Sequence, residues 1–201
     1  IVVASALLAR NRWPDQRELS RKIVHIGTGA VIPMAWWFAI PAVIAIPFAG
    51  VVTLATAINQ HWRLIPAVED IDRNSYGTTA YGLAITTLLV MYWPHHPDAV
   101  CAGVLVMACG DGLAGLIGRG VTSPRWTVAG QTKSLAGTAT MLVVSFGVLL
   151  VLTITDGSGA NGTGALLLAA VATGLEQISP AGVDNLSVPL AVGYLWSITV
   201  S

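Results

Sequence analysis

The chain has 201 residues, 54% of them hydrophobic and only 10% charged, with a mean hydropathy of +0.71. Soluble domains carry about 25% charged residues, so this chain has too little polar surface for a water-soluble globule and reads as one integral membrane domain over 1–201. Ten Lys and Arg balance ten Asp and Glu, and a net charge of zero gives no basis for nucleic-acid binding.

Apolar segments of about 16–20 residues recur along the chain, the length needed to cross a bilayer. The first, 1–9, has no charged leader and no clear cleavage site. It reads as the end of a membrane helix, not as a signal peptide. Complete spans are expected over 23–39, 41–58, 78–93, 98–118, 135–155, 164–179 and 187–201. Pro41, Pro66, Pro94, Pro97, Pro124 and Pro180 fall at or near the breaks, as helix breakers should. The tract DGSGANGTG at 156–164 reads as a flexible turn. The expected fold is an all-α, polytopic transmembrane helix bundle, with about seven complete spans plus a partial N-terminal one. Cys101 and Cys109 lie on one segment about 12 Å apart along a helix, too far for a disulfide, and read as packing residues.

Every basic residue falls on one set of alternate loops: Arg10, Arg12, Arg17, Arg21 and Lys22, then Arg63 and Arg73, then Arg119, Arg125 and Lys133. The opposite loops, 94–98 and 156–164, hold none. Cytoplasmic loops collect Lys and Arg, so the basic side is cytoplasmic or its organellar equivalent. The polar linkers 59–79 and 119–134 and the turn 179–185 share that side. Chemistry is therefore expected at the cytoplasmic leaflet.

Asp111, within MACGDGLAGLIGRG, lies roughly 10 Å deep in its span. An intramembrane carboxylate costs about 2.5–3.5 kcal/mol on insertion scales, which makes it a functional candidate. The alternative is a helix-packing pair with a buried cation. Ala114, Gly115 and Gly118 give it a small-residue face that admits a helix or ligand close to the backbone. Glu176 is a second acid within a span, and Asp184 and Asn185 follow across a Pro-Gly turn. Magnesium takes oxygen ligands and needs only one or two carboxylates beside substrate phosphates. Either Asp184 or Asn185 could instead cap the last helix, and for Asn185 cap and ligand stand equal. Lys133, Ser134, Gly137 and Thr138 open a span, where free helix N–H groups attract anions. The loop lacks the second glycine and preceding strand of a Walker A motif, and Lys133 also fits a plain positive-inside lysine. Lys22 and His25, three apart on one helix face, open an earlier span. His95 and His96 sit on the featureless side with no third ligand for zinc.

RKIVHIGTG, GDGLAGLIGR, KSLAGT and the E-x7-DN pattern in LEQISPAGVDNLSVPL, in that order from about residue 20 to 190, resemble the polyprenol kinase family of phytol, farnesol and dolichol kinases. That family is related to the CTP-dependent yeast diacylglycerol kinase and more distantly to CDP-diacylglycerol synthases. The short length looks most like the phytol kinases. The resemblance implies transfer of the γ-phosphoryl group of a nucleoside triphosphate, often CTP, to an isoprenoid alcohol dissolved in a bacterial or plastid-type membrane. In phytol kinases the product feeds tocopherol synthesis. Many relatives carry Glu before Gly-Ser where this chain has Leu135-Ala136-Gly137-Thr138, so that carboxylate is absent here.

Phosphoryl transfer needs mostly positioning and charge neutralisation. The expected roles follow. Asp111 and Asp184, with Asn185, bind Mg2+ on the phosphates of CTP, UTP or ATP. Lys133, Ser134, Gly137 and Thr138 cradle phosphate, with Lys22 and Arg119 as secondary cations. His25 or Glu176 takes the alcohol proton. The small-residue faces form the isoprenoid groove. The rivals are a cytidylyltransferase, which attacks the α-phosphate, and a cation-coupled transporter, which should show polar groups toward both faces or an internal repeat.

Overall fold

The computed structural model describes residues 2–13, 17–62, 76–155, 162–180 and 182–199. Most of the linker 59–79, with Arg63, Pro66 and Arg73, lies outside the described residues, as do most of the tract 156–164 and Ala181.

The chain is the expected all-α bundle with one small hairpin. It runs α1 (Val2–Arg12), α2 (Arg17–Gly29), α3 (Val31–Trp37), α4 (Ala42–Trp62) and α5 (Gly77–Tyr92). A long helix follows, made of α6 (Pro97–Leu105), a π-helical segment (Val106–Asp111) and α7 (Gly112–Gly120). Then come β1 (Arg125–Val128), β2 (Gln131–Ser134), α8 (Leu135–Thr155), α9 (Gly162–Ile178) and α10 (Asp184–Thr199). Among the described residues three helices are long and apolar enough to cross a membrane: Ala42–Trp62, Pro97–Gly120 and Leu135–Thr155. Gly77–Tyr92 and Gly162–Ile178, expected as full spans, are apolar but shorter.

The segment 23–39 is not one helix. Pro33 has no N–H for the Gly29 carbonyl, so the ladder thins between α2 and α3. The bonds that remain are long, Ala30 N–H to Ile26 O at 3.3 Å and Met34 N–H to Ala30 O at 3.5 Å. The linker 119–134 also holds more order than expected. Arg125 pairs with Ser134 and Val128 with Gln131 in an antiparallel ribbon. Its turn puts Ala129 (φ 49°) and Gly130 (φ 75°) in the left-handed region that two-residue hairpins require.

Pro97–Gly120 is the axis of the bundle. Its first half is buried from Ala99 to Val104 against α5 and α10. Close approach there depends on glycine. A Cβ on Gly103 would lie 2.3 Å from the Pro189 carbonyl oxygen, and one on Gly193 would lie 3.1 Å from the Ala99 oxygen. Small residues let helix backbones meet where lipid supplies no hydrophobic drive. At the start of this axis the Trp196 indole donates to Asp98 Oδ2 at 2.7 Å, so that buried acid is spoken for. The 24 residues of the axis span about 36 Å. His95 and His96 therefore stand at one pole of the bundle and Arg119 at the other. On the outside, α4 exposes Val43, Phe48, Val51 and Leu54 toward lipid.

Candidate active site

The site grows from the π-helical segment. A π-turn is wider than an α-turn and often marks a functional position. Here it brings Asp111 and the Met107 carbonyl to face α2. Lys22 Nζ donates to Asp111 Oδ2 at 2.6 Å and to the Asp111 carbonyl at 3.1 Å. His25 Nε2 lies 3.2 Å from Met107 O and 3.4 Å from Asp111 Oδ2. Both neighbours are acceptors, so the ring proton belongs on Nε2, leaving Nδ1 bare. The His25 ring rests on Tyr81, centroids 4.4 Å apart. Gly115 makes room for the lysine stem, since a Cβ there would lie 2.7 Å from Lys22 Cε.

A second lysine–acid pair closes the other side. Lys133 Nζ is ion-paired with Glu176 Oε1 and donates to the Glu176 carbonyl at 2.8 Å. Gln177 donates to Glu176 Oε2 at 2.7 Å. Ligand atoms of Asp111, Glu176 and Asp184 all lie within 4.8 Å of one another. Asp184 Oδ1 and Asn185 Oδ1 are buried with no hydrogen-bond partner among the described residues. Buried oxygens are almost always satisfied, so unpartnered oxygens of Asp184 and Asn185 at a cluster of three converging carboxylates fit a hard divalent cation.

The loop that opens α8 bonds its own first N–H groups. Leu135 N–H bonds Pro124 O at 2.9 Å, Ala136 N–H bonds Ser123 Oγ at 3.2 Å and Gly137 N–H bonds Ser134 Oγ at 3.2 Å. Ser134 is thus the helix cap. These three N–H groups have partners within the loop, while Ser134, Gly137 and Thr138 line a polar cavity together with Lys133. Thr138 bonds Ser134 O and receives Gln177 Nε2 at 3.0 Å. Gly137 packs on Gly118, 3.4 Å from its Cα to a Cβ built on Gly137. Lys133 is left as the cation of this loop. Arg119 turns to Glu18 of α2 at 3.1 Å, and Arg21 shares the same carboxylate at 2.9 Å. Glu18, Arg21 and Gln177 were missed in the sequence: the spacing of Glu18 and Arg21 on α2 was readable, but the links from Glu18 to Arg119 and from Gln177 to Thr138 exist only through packing.

Two cavities meet at this cluster. One, about 430 Å³, is polar and includes Lys133, Glu176, Asp184, Arg119 and Arg125 in its wall. The other, about 670 Å³, is apolar and runs between α2, α3, α4 and α5. Lys22, Asp111, Asn185 and Arg21 line both. The small face of Ala114, Gly115 and Gly118 lines the polar cavity, so the groove is not where that face suggested. The two proton-acceptor candidates separate as well. His25 lines the apolar groove, and Glu176 lines the polar cavity.

A membrane bundle that brings a charged cavity and an apolar groove to one acid–lysine centre has room for a polar group beside an apolar one. Comparison with known proteins gives the class. The chain is 39% identical over 210 aligned positions to a phytol kinase of Synechocystis sp., covering 97% of this chain and 88% of that protein. It is 29% identical to a probable chloroplastic phytol kinase 1 of Glycine max, over 88% of this chain and 65% of that one. It is 31% identical to the chloroplastic phytol kinase 1 of Arabidopsis thaliana, over 65% and 46%. The chain belongs to the phytol kinase family. No family model and no solved structure matches it.

Proposed function

We propose that the protein transfers the γ-phosphoryl group of a nucleoside triphosphate, CTP before UTP or ATP, to phytol or a related prenyl alcohol at the cytoplasmic or equivalent leaflet. Family membership makes it a kinase acting on an alcohol. The observation that carries the finer reading is the junction of the two cavities at Lys22, Asp111 and Asn185. The polar cavity suits a nucleotide's phosphates, and the groove suits an isoprenoid tail whose hydroxyl reaches the junction.

Asp111, Asp184, Asn185 and Glu176 are the residues that would hold Mg2+, which supplies charge neutralisation on the phosphates. Lys22 and Lys133 now neutralise two of those carboxylates, and both line the cavity where phosphate would lie. A nucleotide brings new acceptors for both ammonium groups. Ser134 and Thr138 hold the loop that carries Lys133. His25 stands on the alcohol side with Nε2–H fixed, so its Nδ1 is the acceptor we assign to the substrate hydroxyl. Glu176, tied to Lys133, serves the nucleotide side. Arg119 and Arg125 add positive charge at the outer rim.

The test is purified protein in detergent with CTP, UTP and ATP, each labelled at the α or the γ position, against phytol, geranylgeraniol and farnesol. Label from the γ position in the lipid product supports the kinase. Label from the α position, with the alcohol's monophosphate added as acceptor, would make the protein a cytidylyltransferase, and no label in lipid from any of these pairs would remove the kinase reading.

A further inference from the structure

The apolar groove is longer than phosphoryl transfer to a small hydroxyl requires. Its wall on α4 runs from Asn59 to Ile44, about 22 Å, and its wall on α5 runs from Gly77 to Leu89, about 18 Å. Both begin at the pole of Lys22 and Asp111 and end at the corner between α3 and α4. Resting on the kinase reading above, we propose that this groove measures the alcohol's tail, with the Phe38–Pro41 corner as its stop and Ala45 and Ala49 as the residues that keep its far part open.

A zigzag carbon chain with bonds of about 1.5 Å advances about 1.3 Å per bond, so a main chain of about sixteen carbons fills about 19 Å. That matches the groove from junction to corner. A twelve-carbon main chain would leave the last quarter empty, and a twenty-carbon one would overrun the corner.

The corner is built to be rigid. The Trp93 indole donates to the Ile40 carbonyl at 2.9 Å, Ile40 N–H bonds Ala35 O at 2.9 Å, and Ala45 N–H bonds Pro41 O at 3.0 Å. Ile40 thus bonds through both its N–H and its carbonyl. The floor leading to it is continuous and apolar: Ile32, Ile85 and Leu89 are buried beneath the groove. Ala45 and Ala49 lie one helical turn apart on the groove wall, beside Ile44 and Phe48, which line it too. Alanine at these positions leaves the width that a branched chain needs. Any larger side chain there takes up the space of the tail.

The experiment compares kcat/KM for farnesol, geranylgeraniol, phytol and a 25-carbon prenyl alcohol in wild type and two variants. Ala49 is ten residues from Asn59, about 15 Å down the groove, so Ala49→Phe blocks it beyond roughly twelve carbons. It should lower kcat/KM for phytol and geranylgeraniol about tenfold or more and for farnesol clearly less, inverting the preference. Ala45→Leu, a milder change nearer the stop, should lower the same two alcohols less, and farnesol least of the three. Equal loss on every alcohol in both variants, or no change in either, overturns the ruler. Wild type inactive on all four overturns the kinase reading beneath it.

Discussion

Lys22 Nζ bridges Asp111 Oδ2 at 2.6 Å and the Asp111 carbonyl at 3.1 Å, so one ammonium ties α2 to the π-turn at the centre of the site. Both side chains are largely shielded, 5% and 15% exposed. Removing one partner of such a pair strands the other charge and costs about 3–5 kcal/mol, whereas replacing both is often near neutral. Asp111→Asn and Lys22→Met should each lower unfolding stability by that order, and the double variant by clearly less. Activity should fall in all three, by about a hundredfold or more for Asp111→Asn, the scale of losing a preorganised charge. Denaturant titration in detergent beside γ-label transfer checks both. Near wild-type activity in Asp111→Asn would remove it from the centre.

Asp111, Glu176 and Asp184 bring ligand atoms within 4.8 Å of one another, and lysines offset only Asp111 and Glu176 among the described residues. Asp184 is the acid left over, and its Oδ1 has no partner among the described residues. Mg2+ or Mn2+ alone, without nucleotide, should therefore raise the thermal midpoint, by up to about 2.7 kcal/mol in stability at a hundred times the dissociation constant. A chelator should reverse it. Asp184→Asn should abolish the metal-induced shift while its metal-free midpoint stays at or above wild type. A wild-type midpoint indifferent to both cations would rule out a metal centre here.

Much of this was legible from run lengths and charge alone. The expected span 135–155 coincides with α8 to the residue, because a long apolar run bounded by a polar loop has few other options in lipid. Asp111 was legible for the opposite reason, as a carboxylate in a segment that should have none. The groove was not. The walls that α4 turns outward and to the groove are equally apolar, and a sequence does not distinguish them. The Lys22–Asp111 and Lys133–Glu176 pairs, 89 and 43 residues apart, exist only through tertiary packing. The break between α2 and α3 was readable from Gly29 and Pro33, but the apolar run through them masked it. The hairpin had only a four-residue alternation on each side of Ala129-Gly130, too short to outweigh a loop.

Glu18, at the start of α2 outside the apolar spans, joins Arg21 and Arg119. Burial pushes its carboxyl up, but the two guanidiniums outweigh burial and hold it below its ordinary value of 4.5. A depressed folded-state value means the stabilisation is fully present above that ordinary value and is lost as pH falls through the lower, folded one. Arg119 is half exposed, so the link is worth no more than about 1 kcal/mol. Glu18→Gln should therefore lower the thermal midpoint slightly at neutral pH, and the two curves should converge on acidification below pH 4.5. Curves that stay parallel throughout would show that Glu18 acts by packing and not by charge.

Two glycines on the central axis separate fold from site. A Cβ on Gly103 would meet backbone, the Pro189 oxygen at 2.3 Å, and neither α6 nor α10 can yield without opening the core. Gly103→Ala should cost about 1–3 kcal/mol or more in stability, the range for overpacking a dense core, and lower activity only through loss of folded protein. Gly118 faces the site loop instead. Its Cβ would meet Ser134 Oγ at 2.7 Å and Gly137 Cα at 3.2 Å, pushing the cap of α8, and with it the adjacent Lys133, away from α7. Gly118→Ala should leave the alcohol KM near wild type and raise the nucleotide KM several-fold, because the groove lies on the other side of Asp111. Gly147→Ala and Gly174→Ala, whose added Cβ atoms meet nothing within 4 Å, serve as controls and should change neither quantity. If Gly118→Ala raised both KM values equally, the hairpin loop would not be specific to the nucleotide side, and the division of labour between the two cavities would fail.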